Sequence, residues 1–323
     1  MTRRNFFAQT GLLALASTRL GAAESDSFRG VYPILQTPYL EDGPLDFAAL
    51  GRQAHFVDRA GAHGMVWPQL ASEYALLTFD ERIRGAETLA EAKHTGLKPR
   101  LVIGVQAEDT ATAVRYARHA AKIKPDAIIA LPARKPNQNE FDLDATRAYY
   151  KAVAEACPLP MFIQAIGNMS VEYVTSLVQE IPNIYFVKDE AGHTLSRISE
   201  FAHVDADKKP IVFTGGHGRT MLDEMSRGSR GNMPAAAWVD LYVSAWELWE
   251  QGRSGEALDI FSKNLLLVMQ VQAYGLSALH YILTKRGVFS NWNVRAPNAR
   301  PLDGAAREAL DITYDFVKPY LRA

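Results

Sequence analysis

The chain has 323 residues, 22% of them charged and 48% hydrophobic, with a formal net charge of -1. That balance describes a folded chain able to bury a large core; it excludes wholesale disorder and gives no electrostatic support to general nucleic-acid binding. A single cysteine, Cys157, excludes an intrachain disulfide and a thiolate-rich zinc site.

The N-terminus departs from this composition. Thr2-Arg3-Arg4-Asn5-Phe6-Phe7 gives a paired-arginine region, an apolar stretch runs from Gly11 to Ala16, and Leu20-Gly21-Ala22-Ala23 supplies small residues for cleavage. This resembles a bacterial twin-arginine export signal over residues 1–23, which implies a periplasmic mature protein. The apolar stretch is too short for a comfortable membrane span, so no stable membrane insertion of the mature chain is expected.

Next comes a first strand over 30–38, and Asp46 is placed to cap a helix whose Phe47, Leu50, Ala54 and Val57 share a face. Strand two, 64–68, runs into a polar loop with Gln69, Ser72, Glu73 and Tyr74. Thr78-Phe79-Asp80-Glu81 has the pattern of a capping box. Strands follow at 101–105, 127–131 and 160–164, with helices between them, and the long polar loop 132–142 comes after strand four. Cys157, at a helix end, reads as packing. Strand six is Ile184-Tyr185-Phe186-Val187, strand seven Ile211-Val212-Phe213-Thr214, and 231–234 is the weakest strand candidate. Eight strand and helix alternations, about 25 to 35 residues apart, predict an α/β fold, a parallel (β/α)8 TIM barrel over 24–235. Residues 236–323 read as additional helices: 236–249, the long region 256–284, and 305–316.

Lys188 ends the β-branched and aromatic run of strand six. At the C-terminal end of a barrel strand it is placed where such barrels do chemistry, and a lysine in an apolar setting can serve as a Schiff-base nucleophile. The plainer reading is a strand-end lysine paired with Asp189 or Glu190. Gly215-Gly216-His217-Gly218-Arg219-Thr220 lacks the ending of a phosphate-binding loop, and His193 and His217 with nearby acids form no persuasive metal motif.

The order of these motifs resembles the dihydrodipicolinate synthase and N-acetylneuraminate lyase family, from about Phe28 to Lys318. The resemblance rests on Tyr32-Pro33-Ile34 with Thr37-Pro38 and Asp42-Gly43, on Ser72-Glu73 with Leu77-Thr78-Phe79-Asp80-Glu81-Arg82, on Pro182-Asn183-Ile184 leading to Lys188, and on Gly231. It implies that Lys188 forms an imine with a 2-oxo acid, which includes a 2-oxo-3-deoxy sugar acid, that no separate cofactor is needed, and that the chain assembles as a homodimer or homotetramer. Several positions depart from the family pattern. Leu70 and Ala71 stand where a hydroxyl pair receives the carboxylate, Arg134 stands in place of a tyrosine after strand four, Gln164-Ala165 replaces Tyr-Asn, and Phe186 is bulky where a small residue is usual. These argue against dihydrodipicolinate synthesis itself.

The expected activity is that of a class I lyase, by retro-aldol cleavage or dehydration. Tyr74, His217, or a substrate carboxylate with water are the candidates for moving protons. Ser72, Arg134, Lys135 and Arg219 are candidates for holding the acid, Glu73 for ordering loop two, and Gln164 for lining the site. The competing reading is a non-catalytic periplasmic binding or regulatory protein that kept the barrel.

Overall fold

Alternation of short apolar runs with amphipathic helices builds the architecture directly. The computed structural model describes residues 27–323 apart from 136–137, 207 and 298; the expected export signal, residues 1–23, lies outside the described residues. The strands are β1 (Gly30–Val31), β2 (Gly64–Trp67), β3 (Arg100–Gly104), β4 (Ala127–Ala130), β5 (Met161–Ala165), β6 (Ile184–Asp189), β7 (Ile211–Thr214) and β8 (Gly231–Asn232). They form one parallel sheet in the order β1-β8-β7-β6-β5-β4-β3-β2. A bridge between Ile34 and Val66, flanked by hydrogen bonds from Leu35 N to Val66 O and from Val66 N to Pro33 O, joins its two edges into a barrel.

The first strand is shorter than expected. Its regular part is Gly30–Val31; beyond it Tyr32 N and Ile34 N still donate to Asn232 O and Pro234 O, while Pro33 has no N–H for a ladder. Helices α1 (Phe47–Arg59), α2 (Phe79–His94), α3 (Thr110–Ile123), α4 (Leu143–Ala156), α5 (Val171–Glu180), α6 (Thr194–Ala202) and α7 (Met221–Ser226) cover the sheet. Asp46 caps α1 by accepting from Ala49 N, and Thr78 with Glu81 forms the expected capping box of α2. Cys157 closes α4 fully buried, and burial pushes its thiol up to about 11, consistent with packing.

Side chains alternate across each strand, so residues two apart share a face. On β5 and β6 this yields two inward layers. Phe162 and Phe186 stack at 4.3 Å in the barrel interior, where Phe28 and Phe213 also pack. One step nearer the C-terminal mouth, Gln164 pairs in register with Lys188. The bulky Phe186 therefore fills the floor on which the lysine sits. Gly231 permits that floor, since a Cβ there would lie 2.1 Å from the Phe213 ring.

After the barrel come α8 (Val239–Glu250), α9 (Ser254–Tyr274), α10 (Leu276–Lys285) and α11 (Gly304–Val317). The helical region expected over 256–284 is built as two helices, separated at Gly275, whose φ of 66° is a left-handed conformation open to glycine. Trp238 and Trp246 are buried against the barrel, the first donating to Asn264 Oδ1 at 2.8 Å.

Candidate functional site

The C-terminal ends of the strands open on a cavity of about 360 Å³ whose lining includes Ile34, Gln69, Lys188, Glu190, His217 and Leu276. Lys188 comes from β6 itself, which extends through Asp189 rather than stopping at Val187. Its side chain is 6% exposed and its Nζ lies 3.0 Å from Glu190 Oε2. Alternation separates the two neighbouring acids. Asp189 points outward and is fully buried against α6, where Arg197 holds it with two nitrogens at 2.8 Å. Glu190 points inward with Lys188.

Three groups fix Glu190. Lys188 Nζ meets Oε2, Gln164 Nε2 donates to the same oxygen, and Gly216 N donates to Oε1 at 2.8 Å. Burial works against its charge, but Lys188, the Gly216 amide and His217 outweigh that and hold the carboxyl below the usual glutamate value. Gly215 makes the approach of loop seven possible: a Cβ there would fall 2.0 Å from Glu190 Oε1 and 2.8 Å from Lys188 Cε.

His217 sits at the centre of a left-handed turn over Gly216–Gly218, with φ 57°, a conformation uncommon outside glycine. Tyr242 of α8 donates to its carbonyl at 2.5 Å. Beneath, the buried Glu224 accepts from Thr214 Oγ1 at 2.5 Å, Thr220 Oγ1 at 2.7 Å and Asn232 Nδ2 at 3.2 Å, tying β7, α7 and β8 together. Burial lowers the His217 imidazole from its ordinary value, with Glu190 pulling the other way.

Loop two behaves differently. Ser72, read from the sequence as a donor to the substrate carboxylate, donates its hydroxyl to Leu35 O at 2.5 Å and accepts from Gln69 N at 3.0 Å, so its proton is engaged in building the loop. Glu73, left-handed at φ 57°, accepts from Ala296 N at 2.5 Å, and Arg295 beside it clamps Glu81 at 2.6 Å. Tyr74 is buried in a cluster with Leu131, Phe141 and Ile166 rather than in the cavity lining, and burial raises its phenol against the nearby charges of Arg134 and Arg82. Arg134 and Lys135 are outside that lining too, and Arg219 is exposed, donating to Gly216 O at 3.0 Å.

The structure thus gathers Lys188, Gln164 and Glu190 into one bonded group, with His217 beside it on the cavity wall. It also adds Gln69 and Leu276. Glu190 had a legible signal, being two residues past the lysine on the same face; Leu276 had none, because it is 88 residues away and reaches the mouth only through the break at Gly275.

Residues 27–313 match the model of the dihydrodipicolinate synthetase family. The chain belongs to this family. It is 28% identical over 292 residues to a 4-hydroxy-tetrahydrodipicolinate synthase of Rhizobium meliloti, covering 88% of this chain and 96% of the relative. It is 22% identical over 280 residues to the L-2-keto-3-deoxyarabonate dehydratase of Azospirillum brasilense, covering 83% and 88%. Among solved structures, the prophage family member YagE of E. coli K12, in complex with pyruvate, superposes with a TM-score of 0.80 at 18% identity, covering 90% of this chain and 99% of that one. At that identity the likeness speaks to the fold alone.

Proposed function

We propose that this family member is a class I lyase that forms an imine between Lys188 and a 2-oxo acid. The observation that carries the reading is the buried Lys188 with Glu190 at 3.0 Å, facing a cavity at the C-terminal mouth of a barrel.

Glu190 takes the proton that the tyrosine-free site must place somewhere. It accepts one from the Lys188 ammonium, and the freed Nζ lone pair attacks C2 of the oxo acid. After proton transfer from nitrogen to oxygen gives the carbinolamine, Glu190 returns its proton to the C2 hydroxyl, which leaves as water, and the protonated imine remains. Lysine and carboxylate end with the charges they began with. The ammonium's own charge is a main reason Glu190 stays ionised; while Nζ is neutral that support is withdrawn, burial dominates, and the carboxyl becomes a better proton carrier.

The imine then acts as an electron sink. In a 4-hydroxy-2-oxo acid, loss of the C4 hydroxyl proton to Glu190 or His217 lets the C3–C4 bond break, its electrons entering the enamine as C4 becomes an aldehyde. Alternatively, loss of a C3 proton and departure of the C4 hydroxyl gives dehydration from the same intermediate. His217, lowered by burial, is neutral near pH 7 and able to accept. The amides of Leu70 and Ala71, ahead of the turn's first internal hydrogen bond from Ser72 N to Gln69 O, offer donors for the carboxylate where the side chains offer none.

Borohydride trapping with pyruvate and longer 2-oxo acids, followed by peptide mapping, tests this: a reduced adduct on Lys188, absent in Lys188→Ala, is expected. Folded protein that gives no adduct with any of them removes the lyase reading and leaves a binding protein. We further propose export by the segment 1–23 and assembly as a homodimer or homotetramer. Retention in the cytoplasm on replacing Arg3 and Arg4 by lysine, and light scattering of the mature chain, are the respective checks.

A further inference from the structure

The cavity above Lys188 has two unlike halves. β6 and loop seven bring the charge, with Lys188, Glu190 and His217. The facing half is assembled from the segment after β1, loop two, the exit of β8 and α10, and presents Ile34, Leu70, Ala71, Met233 and Leu276. Ile34 and Met233, 3% and 2% exposed, belong to the core; Ala71 and Leu276 are half-buried, and Leu70 is exposed at 46%.

Gln69 is the polar side chain on that half. Its Nε2 donates to Gln106 Oε1 at 3.0 Å, which leaves Oε1 as a single buried acceptor without a partner. With the Leu70 and Ala71 amides taken by the carboxylate, a chain of several hydroxyls lying against the wall would give up its hydrogen bonds to water and find one side-chain replacement. An alkyl or aryl chain gains from the same transfer. Among the described residues lining the cavity no arginine appears, and Lys188 is engaged with Glu190, so a second carboxylate or a phosphate on the tail meets no free cation.

We infer that the substrate is a 2-oxo acid whose chain beyond C3 is apolar, alkyl or aryl, with no hydroxyl except at C4, and not a polyhydroxylated sugar acid. This deepens the imine reading and takes from it the orientation of the acid, with C2 at Lys188 and the tail toward Met233 and Leu276. The sugar-acid substrate implied by the family resemblance is set aside for this reason: the wall that would have to bind its hydroxyls lacks partners for them.

Two readouts separate the inference from the reading beneath it. Calorimetric titration of the mature protein with 2-oxohexanoate, 4-phenyl-2-oxobutanoate and a 2-oxo-3-deoxyhexonate ranks the tails without requiring an imine, whereas borohydride trapping with pyruvate reports the imine alone. Affinity at least about tenfold higher for the apolar-tailed acids is expected, the discrimination that a methylene-sized difference in an apolar pocket supports. Equal or tighter binding of the hydroxylated acid, or binding of none of the three, overturns the inference even if pyruvate is trapped. Failure of trapping with the tail ranking intact removes the imine and keeps the apolar pocket. Leu276→Ser, at a half-buried position, is expected to shrink the preference for the phenyl-tailed acid by about tenfold; an unchanged preference places the tail elsewhere and sinks the assignment.

Discussion

Glu73 and Glu190 stand at the same end of the barrel, and their surroundings push them in opposite directions. Glu73, in loop two, is raised because burial outweighs its bonds to the 295–296 segment. Glu190, whose side chain is 24% exposed, is also opposed by burial but is lowered, because Lys188, the Gly216 amide and His217 surround it. Ser72 and Glu73 therefore serve loop two and the C-terminal segment, whereas the tip of β6 and loop seven hold their polar groups at the cavity. A polar side chain near a site becomes part of the chemistry only if its hydrogen-bonding capacity is not already consumed by the fold.

The sharpest way to break this contrast is Glu190→Gln. The amide keeps the shape but carries no proton between nitrogen and oxygen, so turnover and the rate of imine formation should fall about 10²- to 10⁴-fold. Stopped-flow trapping measures both, and turnover within a few-fold of wild type would transfer the proton work to His217. The variant should also lose an acid-side dependence. A lowered carboxyl contributes stability that is present above its unfolded value and lost as pH falls through the folded value, so wild type and Glu190→Gln should converge in stability in acid.

Ser72→Ala should act on stability instead. It leaves Leu35 O and Gln69 N without their partner, at a cost of about 1–3 kcal/mol in denaturant unfolding. A turnover loss per folded molecule comparable to that of Glu190→Gln would return Ser72 to the substrate. Glu73→Gln should be the mildest, within about 1 kcal/mol at neutral pH, since the amide oxygen can still accept from Ala296 N. Its pH dependence has the opposite sign. A raised carboxyl contributes stability that is present below its unfolded value and lost as pH rises through the folded value, so the variant should gain on wild type as pH increases. Parallel urea titrations from acid to neutral pH check both slopes.

Much of the barrel was legible because its signals are local. Apolar runs, caps at Asp46 and Thr78, and alternation along β6 are consequences of a few adjacent residues, and alternation alone places Phe186, Lys188 and Glu190 on one face. The roles of individual polar residues were less legible. Ser72 has the right chemistry for a substrate and was expected to face one, and Glu73 was expected to order loop two; Leu35 O and Ala296 N, 37 and 223 residues away, engage them. Tyr74 is similarly enclosed by Leu131 and Ile166, just past the ends of β4 and β5, and by Phe141 of the loop before α4.

By itself, then, the sequence determined the alternating barrel, the lysine at the C-terminal mouth and the family pattern, because each rests on periodicity or on short motifs. Only the tertiary structure decided that Asp189 belongs to Arg197 and Glu190 to Lys188, that Gly215 must lack a side chain for loop seven to close on them, and that the break at Gly275 carries Leu276 to the opposite wall. Those outcomes depend on which distant groups compete for one donor, acceptor or apolar surface, and that competition is settled when the elements pack.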